Sequence, residues 1–239
     1  MQPHERTTRN EKNELKPWRN KSWVIPPKAS GEFVAAMEDV LEVYKRRPNE
    51  RRPVVCLDET SKQLVAETWE PIPMKSGEPK RFDYEYRSNG VANLFMMFDP
   101  HAAWRHVEVT ERRTRVDFAH CVRELVDEWY PDADKIVLVM DNLNMHSIGS
   151  LYEAFSPDEA FSPDEAFSPD EAWRLSRKLE IHHTPKHGSW LDMAEIELSV
   201  LSRQVLNARI SDIETLTNSV ASWEDVRNAT DATVNWQFD

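Results

Sequence analysis

Cysteine is scarce in this chain: Cys56 and Cys121 are its two thiols in 239 residues. Each sits in an apolar pattern, which argues against a disulfide framework and a cysteine-based zinc site and fits a small buried hydrophobe. Long hydrophobic runs are also missing, so no membrane-spanning segment is expected. Met1 to Asn20 is polar and charged, so no secretory leader is expected either. These absences point to a cytoplasmic protein. Positive charge is in deficit. The formal net charge is −12, whereas a nucleic-acid binder usually presents a basic face.

The distribution of charge softens that exclusion. Residues 1–30 hold seven Lys or Arg against three Glu, and basic clusters recur at Lys45-Arg46-Arg47, Arg51-Arg52 and Arg112-Arg113-Thr114-Arg115. The acidity gathers in a repeat over 153–171, in the C-terminal tail and at the acids discussed below. Local field matters more than the total. An apolar share of 40% with nine Trp can fill a core, and the length suits one large domain, alone or with an appendage.

Residues 1–30 read as an extended arm or linker, broken at Pro26-Pro27. Residues 31–47 read as a helix, because Phe33, Met37, Val40, Leu41 and Tyr44 fall on one face. Strands are predicted at Val54–Asp58, Leu64–Trp69, Tyr84–Arg87, Val91–Phe98 and Trp104–Val109, with a hairpin turn at Asn89-Gly90. A helix over 114–129, a strand Lys135–Asp141, a strand Leu179–Thr184 and helices near 190–208 and 212–227 follow. This order predicts a mixed α/β sheet flanked by helices. Glu153-Ala-Phe-Ser-Pro-Asp158 occurs three times in tandem over 153–170. Three hexamers are too few for a solenoid, so the repeat reads as a tolerated duplication in a surface connection. Ser168 is predicted to cap the helix that follows the last copy.

Three acids lack a packing reason. Asp58 ends the apolar run Val54-Val-Cys-Leu, and Asp141 ends Ile136-Val-Leu-Val-Met. Burying a carboxylate costs several kcal/mol, roughly, unless a cation or donors answer it. If the two strands are neighbours, both acids can leave the same sheet edge, and a helical acid would complete a site for divalent metal. Capping a turn is about as good a reading for either acid alone. Glu195 and Glu197 are the candidates for the third acid. They flank the apolar stripe Leu191, Ala194, Leu198, Leu201 and Val205 on opposite sides, and spacing does not choose between them.

Around these acids stand Asn142, Asn144 and His146, each able to hold a carboxylate or a phosphate, with a loop-stabilising role as an equal reading, and Glu59 and His187 are further candidates beside the site. His182, His183 and His187 match no zinc-ligand pattern, and the first two alternate across a strand. Arg112, Arg113, Arg115 and Lys186 precede helices and are candidate phosphate contacts.

With these residues placed, the chain resembles an insertion-sequence transposase of the bacterial branch of the mariner superfamily. The segments that carry the likeness are Trp23-Val-Ile-Pro-Pro27, Arg52-Pro-Val-Val-Cys-Leu-Asp58-Glu59, Asp83-Tyr-Glu-Tyr86, Ala92-Asn-Leu-Phe95, Arg112-Arg-Thr114, Val139-Met-Asp141-Asn-Leu-Asn144 and Thr184-Pro-Lys-His-Gly-Ser-Trp-Leu-Asp-Met-Ala-Glu195-Ile-Glu197. They cover nearly the whole chain from about residue 20. The resemblance implies a ribonuclease-H-like fold over 31–239. It implies the catalytic and metal-binding triad Asp58, Asp141 and Glu195, with Asp192 and Glu197 near it and two Mg²⁺ or Mn²⁺ ions bound. It further implies phosphodiester hydrolysis at element ends and strand transfer into target DNA by a homodimer that acts on terminal inverted repeats at the nucleoid. Asp192, Met145 and Val91 depart from the Asn, Thr and Thr common in the family. The repeat widens the 141-to-195 spacing to 54 residues, or 42 without two copies. Family members normally begin with a helix-turn-helix region and run past Phe238, so residues 1–30 are expected to be the linker remaining from such a region. A catalytically silent remnant and a ribonuclease-H-like nuclease or resolvase are the competing expectations.

Overall fold

Val54–Leu57 is buried on both sides, as a wholly apolar run before Asp58 requires of a central strand. The computed structural model describes residues 30–79, 81, 83–141, 146–153 and 168–234. Helix α1 (Gly31–Lys45) is capped by the Ser30 hydroxyl, which accepts from the Phe33 N–H. The sheet follows with β1 (Val54–Glu67), β2 (Tyr86–Asp99) and β3 (Trp104–Thr110). Helix α2 (Arg115–Glu124) begins with a reciprocal Thr114–Asp117 capping box and runs on through a π-helical turn, Leu125–Trp129. Then come β4 (Ile136–Met140), α3 (Ile148–Glu153), α4 (Pro169–Lys178), β5 (Leu179–His183), α5 (Met193–Leu201) and α6 (Ile213–Ala229).

The five strands lie in the order β3-β2-β1-β4-β5. β1, β2 and β3 form an antiparallel meander, and β4 and β5 extend it in parallel from β1. This is the mixed sheet flanked by helices expected from the sequence. Alternate side chains feed two cores. Val54, Cys56, Leu94, Met96, Val137 and Val139 face α1, α5 and α6. Val55, Leu57, Phe95, Met97, Leu138 and Met140 face α2, α3 and α4.

The hairpin turn expected at Asn89-Gly90 is not there. The two residues lie inside β2, where the register slips between Gln63↔Val91 and Val65↔Ser88. Gly90 takes φ 99 at the slip, so the Asn-Gly signal marks a bulge rather than a turn, and what read as four strands forms two long ones. The connection between β1 and β2 is the arm 68–85. Ser168 caps α4 as expected, with Pro169 opening the helix. Residues 154–167 of the repeat and residues 1–29 of the linker lie outside the described residues. Cys56 and Cys121 are buried free thiols. No helix among the described residues is long and apolar enough to cross a membrane.

Candidate active site

β1 and β4 are parallel neighbours, paired as far as Leu57↔Met140. Asp58 and Asp141 therefore leave adjacent strands at the same end. Both continue the side-chain alternation of Cys56 and Val139, which places them on the face covered by α5. Glu195 lies in the first turn of that helix.

Local sequence fixes the approach of α5. Pro185 to Gly188 forms a tight turn in which the Gly188 N–H donates to the Pro185 carbonyl at 2.7 Å. His187 adopts φ 65, and a Cβ at Gly188 would stand 2.6 Å from Pro185 Cγ. A 3-10 turn, Ser189–Leu191, follows, and Asp192 Oδ1 accepts from the Ala194 N–H at 2.9 Å to cap α5. Tyr44 of α1 pins the turn by donating to the Leu191 carbonyl at 2.8 Å.

The cluster is short of positive charge. Burial raises the Asp58 carboxyl, and Glu59, Glu195 and Asp141 push it further, to about 7 against the opposing Glu59 N–H hydrogen bond. Asp192 is fully buried and its carboxyl is raised well above normal, by burial first and then by Asp58. Its Oδ2 finds no hydrogen-bond partner among the described residues. The oxygens of Asp58, Asp141 and Glu195 do not all converge within 4.8 Å of one another. An all-oxygen donor set with excess negative charge suits a hard divalent cation.

Behind Asp141 stand two buried polar groups, His146 and Glu59, with the exposed Arg113 beyond them. His146 Nδ1 meets Asp141 Oδ1 at 2.5 Å, and His146 Nε2 meets Glu59 Oε2 at 2.9 Å. Arg113 Nη1 donates to Glu59 Oε1 at 3.1 Å. Burial pulls the imidazole pKa down, but the bonds to Asp141 and Glu59 outweigh it and leave His146 at about 9. His183 also contacts this group, its Nε2 lying 2.8 Å from the His146 carbonyl oxygen.

The remaining candidates divide. Glu197 is buried away from the acid cluster, where Arg105 Nε lies 3.3 Å from its carboxylate and Arg227 Nη2 donates to it at 2.6 Å. Lys186, His187 and Arg112 are exposed and Arg115 is half-buried. Asn142 and Asn144 lie outside the described residues. The link from Arg113 to Glu59 was not foreseen, since a basic triplet in a sequence signals phosphate before it signals a buried carboxylate 54 residues upstream.

A profile of the family described as DDE superfamily endonuclease matches residues 53–217. The chain belongs to that family. The matched span includes all three acids of this DDE superfamily endonuclease and every strand of its sheet. Crystal structures of the Mos1 mariner paired-end complex with Mn and with Mg align at a TM-score of 0.55, with 14% and 13% identity. Each alignment covers 87% of this chain and 59% of that one, so the endonuclease spans about three fifths of those proteins. A pre-cleavage Mos1 transpososome aligns at 0.54 with 13% identity, over 96% of this chain and 69% of that one. At these identities the likeness establishes a shared fold, the ribonuclease-H-like one. No curated protein matches the chain.

Proposed function

We propose that this chain is the catalytic core of a DNA transposase of the bacterial insertion-sequence branch of the mariner superfamily, with Asp58, Asp141 and Glu195 as ligands for two Mg²⁺ or Mn²⁺ ions. The observation that carries the reading is that Asp58 and Asp141 leave adjacent parallel strands at one end, beside the first turn of the helix that bears Glu195, and that Glu195 and Asp141 both push the Asp58 carboxyl up. Bound divalent ions would supply Lewis acidity and an activated oxygen nucleophile for in-line displacement at phosphorus. The chain's own residues set the geometry. His146 orients Asp141, Glu59 and Arg113 hold His146, and the Asp192 cap fixes the turn that presents Glu195.

Terminal-repeat and target DNA are the proposed partners, reached through the exposed Lys186 and His187 beside α5 and through Arg112 and Arg115 at the start of α2. The relatives with shared fold are complexes named for paired ends and a transpososome, which supports this choice. The active form is proposed to be a homodimer at the bacterial nucleoid.

The experiment is a Mn²⁺- or Mg²⁺-dependent nicking and strand-transfer assay on element-end DNA. Cleavage followed by strand transfer, both lost in Asp141→Asn and Glu195→Gln, supports a transposase. Cleavage without strand transfer points to a nuclease of the same fold. The extra carboxylate of Asp192 beside Asp58 favours a second reading, a catalytically silent copy, and no cleavage by folded protein would select it.

A further inference from the structure

A second cluster of ligand-type side chains lies on the other face of the sheet. His106 and Glu108 alternate on β3, the edge strand, opposite Met97 and Phe95 of β2. Those partners face α2, whereas Asp58 faces α5. Glu124, the last residue of α2, completes the group. One ligand atom each from His106, Glu108 and Glu124 lies within 4.8 Å of the other two, and this is the one such trio of His, Cys, Asp or Glu among the described residues.

An independent feature orients the imidazole. His106 Nδ1 lies 3.0 Å from Glu224 Oε1 of α6, and Glu224 Oε2 is held by the Val107 N–H at 2.9 Å. With Nδ1 committed to Glu224, Nε2 is the nitrogen that faces Glu108 Oε2, at 3.6 Å. A carboxylate behind a histidine, anchored in turn by a backbone N–H, is the arrangement that fixes tautomer and ring orientation in metal-binding histidines. Trp104 and Trp129 hold the ring from the sides, with centroids 6.4 Å and 4.8 Å from it. Three carboxylates surround one imidazole: a ring protonated on both nitrogens answers Glu224 and Glu108 and leaves Glu124 over, whereas an ion at Nε2 can take Glu108 and Glu124 together.

We propose that His106, Glu108 and Glu124 form a binding site for a divalent transition ion of the zinc class, oriented by Glu224. One nitrogen and two carboxylate oxygens leave a coordination position for water and suit zinc, cobalt or nickel. An imidazole ligand also disfavours Mg²⁺, which takes oxygen ligands and keeps its waters. The site would therefore fill independently of the acids around Asp58. Its ion would tie the edge strand to the end of α2, while Glu224 links it to α6.

The test is zinc titration of the full chain by calorimetry in excess Mg²⁺, in a D58N/D141N/E195Q background that removes the other acid cluster. The expected result is one equivalent of bound zinc and a melting temperature raised by about 5 °C or more at saturation. Cobalt(II) should give the visible absorption of a low-coordinate nitrogen–oxygen site. Glu124→Gln, at a helix end, should abolish both signals, and Glu224→Gln should weaken zinc binding about 10- to 100-fold. Comparison of circular dichroism spectra confirms that each variant is folded. No zinc bound by the parent protein, or zinc bound equally by folded E124Q, overturns the proposal. Both outcomes are independent of whether the chain cleaves DNA.

Discussion

His146 shows how much a single side chain can govern at the acid cluster. It is buried, its Nδ1 lies 2.5 Å from Asp141 and its Nε2 2.9 Å from Glu59, so one ring joins the two acids. Loss of a group that orients a metal ligand typically costs about 10- to 100-fold in metal affinity or activity. His146→Gln is therefore expected to lower Mn²⁺-dependent nicking by that factor while the fold persists, and a fluorescence-monitored Mn²⁺ titration should show the same loss. Asp192 carries a prediction of opposite sign. A carboxyl whose folded pKa is raised penalises the folded state at pH above its unfolded value of about 3.9. Asn can still cap α5 without that charge, since Asn and Asp cap about equally well. In chelator, Asp192→Asn is expected to melt higher than the parent at pH 7 and to converge with it as pH falls toward 4. A lower melting temperature at pH 7 would overturn the reading of Asp192 as a destabilising buried charge. Much at this scale was legible. Asp58 and Asp141 stood out as a pair because each ends an apolar strand, although either alone reads as well as a turn cap. Glu195 was separated from Glu197 by resemblance alone, because both flank one helical stripe and the partners of Glu197, Arg105 and Arg227, sit far away in sequence.

At the scale of elements, that same Glu197 joins three parts of the fold. Arg105 comes from β3, Arg227 from α6 and Glu197 from α5, and the side chains of Arg105 and Glu197 are buried. Arg105 also donates to Asn228 and to the Ala232 carbonyl. Removing the one carboxylate strands two guanidinium groups, and breaking a buried pair in this way costs about 3–5 kcal/mol. Glu197→Gln should lose that much in urea unfolding with little change in slope, whereas a loss under about 1 kcal/mol would mean that Asn228 and the carbonyls carry Arg105 alone. α6 also protects the sheet edge. Glu224 takes the Val107 N–H, and Asn228 bonds both the N–H and the carbonyl of Arg105. An exposed edge would otherwise invite pairing with another chain. None of this shows in a sequence, where α6 reads as an ordinary amphipathic helix. The bulge at Gly90 was hidden for a related reason: Asn-Gly signals a positive φ, and only pairing with β1 reveals whether the chain turns there or kinks.

At the scale of the molecule, the proposed function asks a chain of net charge −12 to hold DNA, and a single copy offers few basic contacts near its acids. Two copies on paired ends would double them. The arm between β1 and β2 has the chemistry to bring copies together. It and the strand ends that carry it expose Trp69 to 70%, Met74 to 75% and Tyr84 to 84%, with Ile72, Tyr86 and Val91 also exposed. So many large apolar side chains along one arm exceed what a monomer normally leaves in water, which makes the arm the candidate contact of the proposed homodimer. The residues of the arm make little of the core, so replacing them should leave the fold intact. Trp69→Ser combined with Tyr84→Ser is expected to shift sedimentation of the free protein from dimer toward monomer without lowering its melting temperature. Strand transfer, which needs two ends held together, should fall far more than single-end nicking. Equal sedimentation of parent and variant would place the dimer contact elsewhere, and equal loss of nicking and strand transfer would assign the arm to DNA instead of to a second copy.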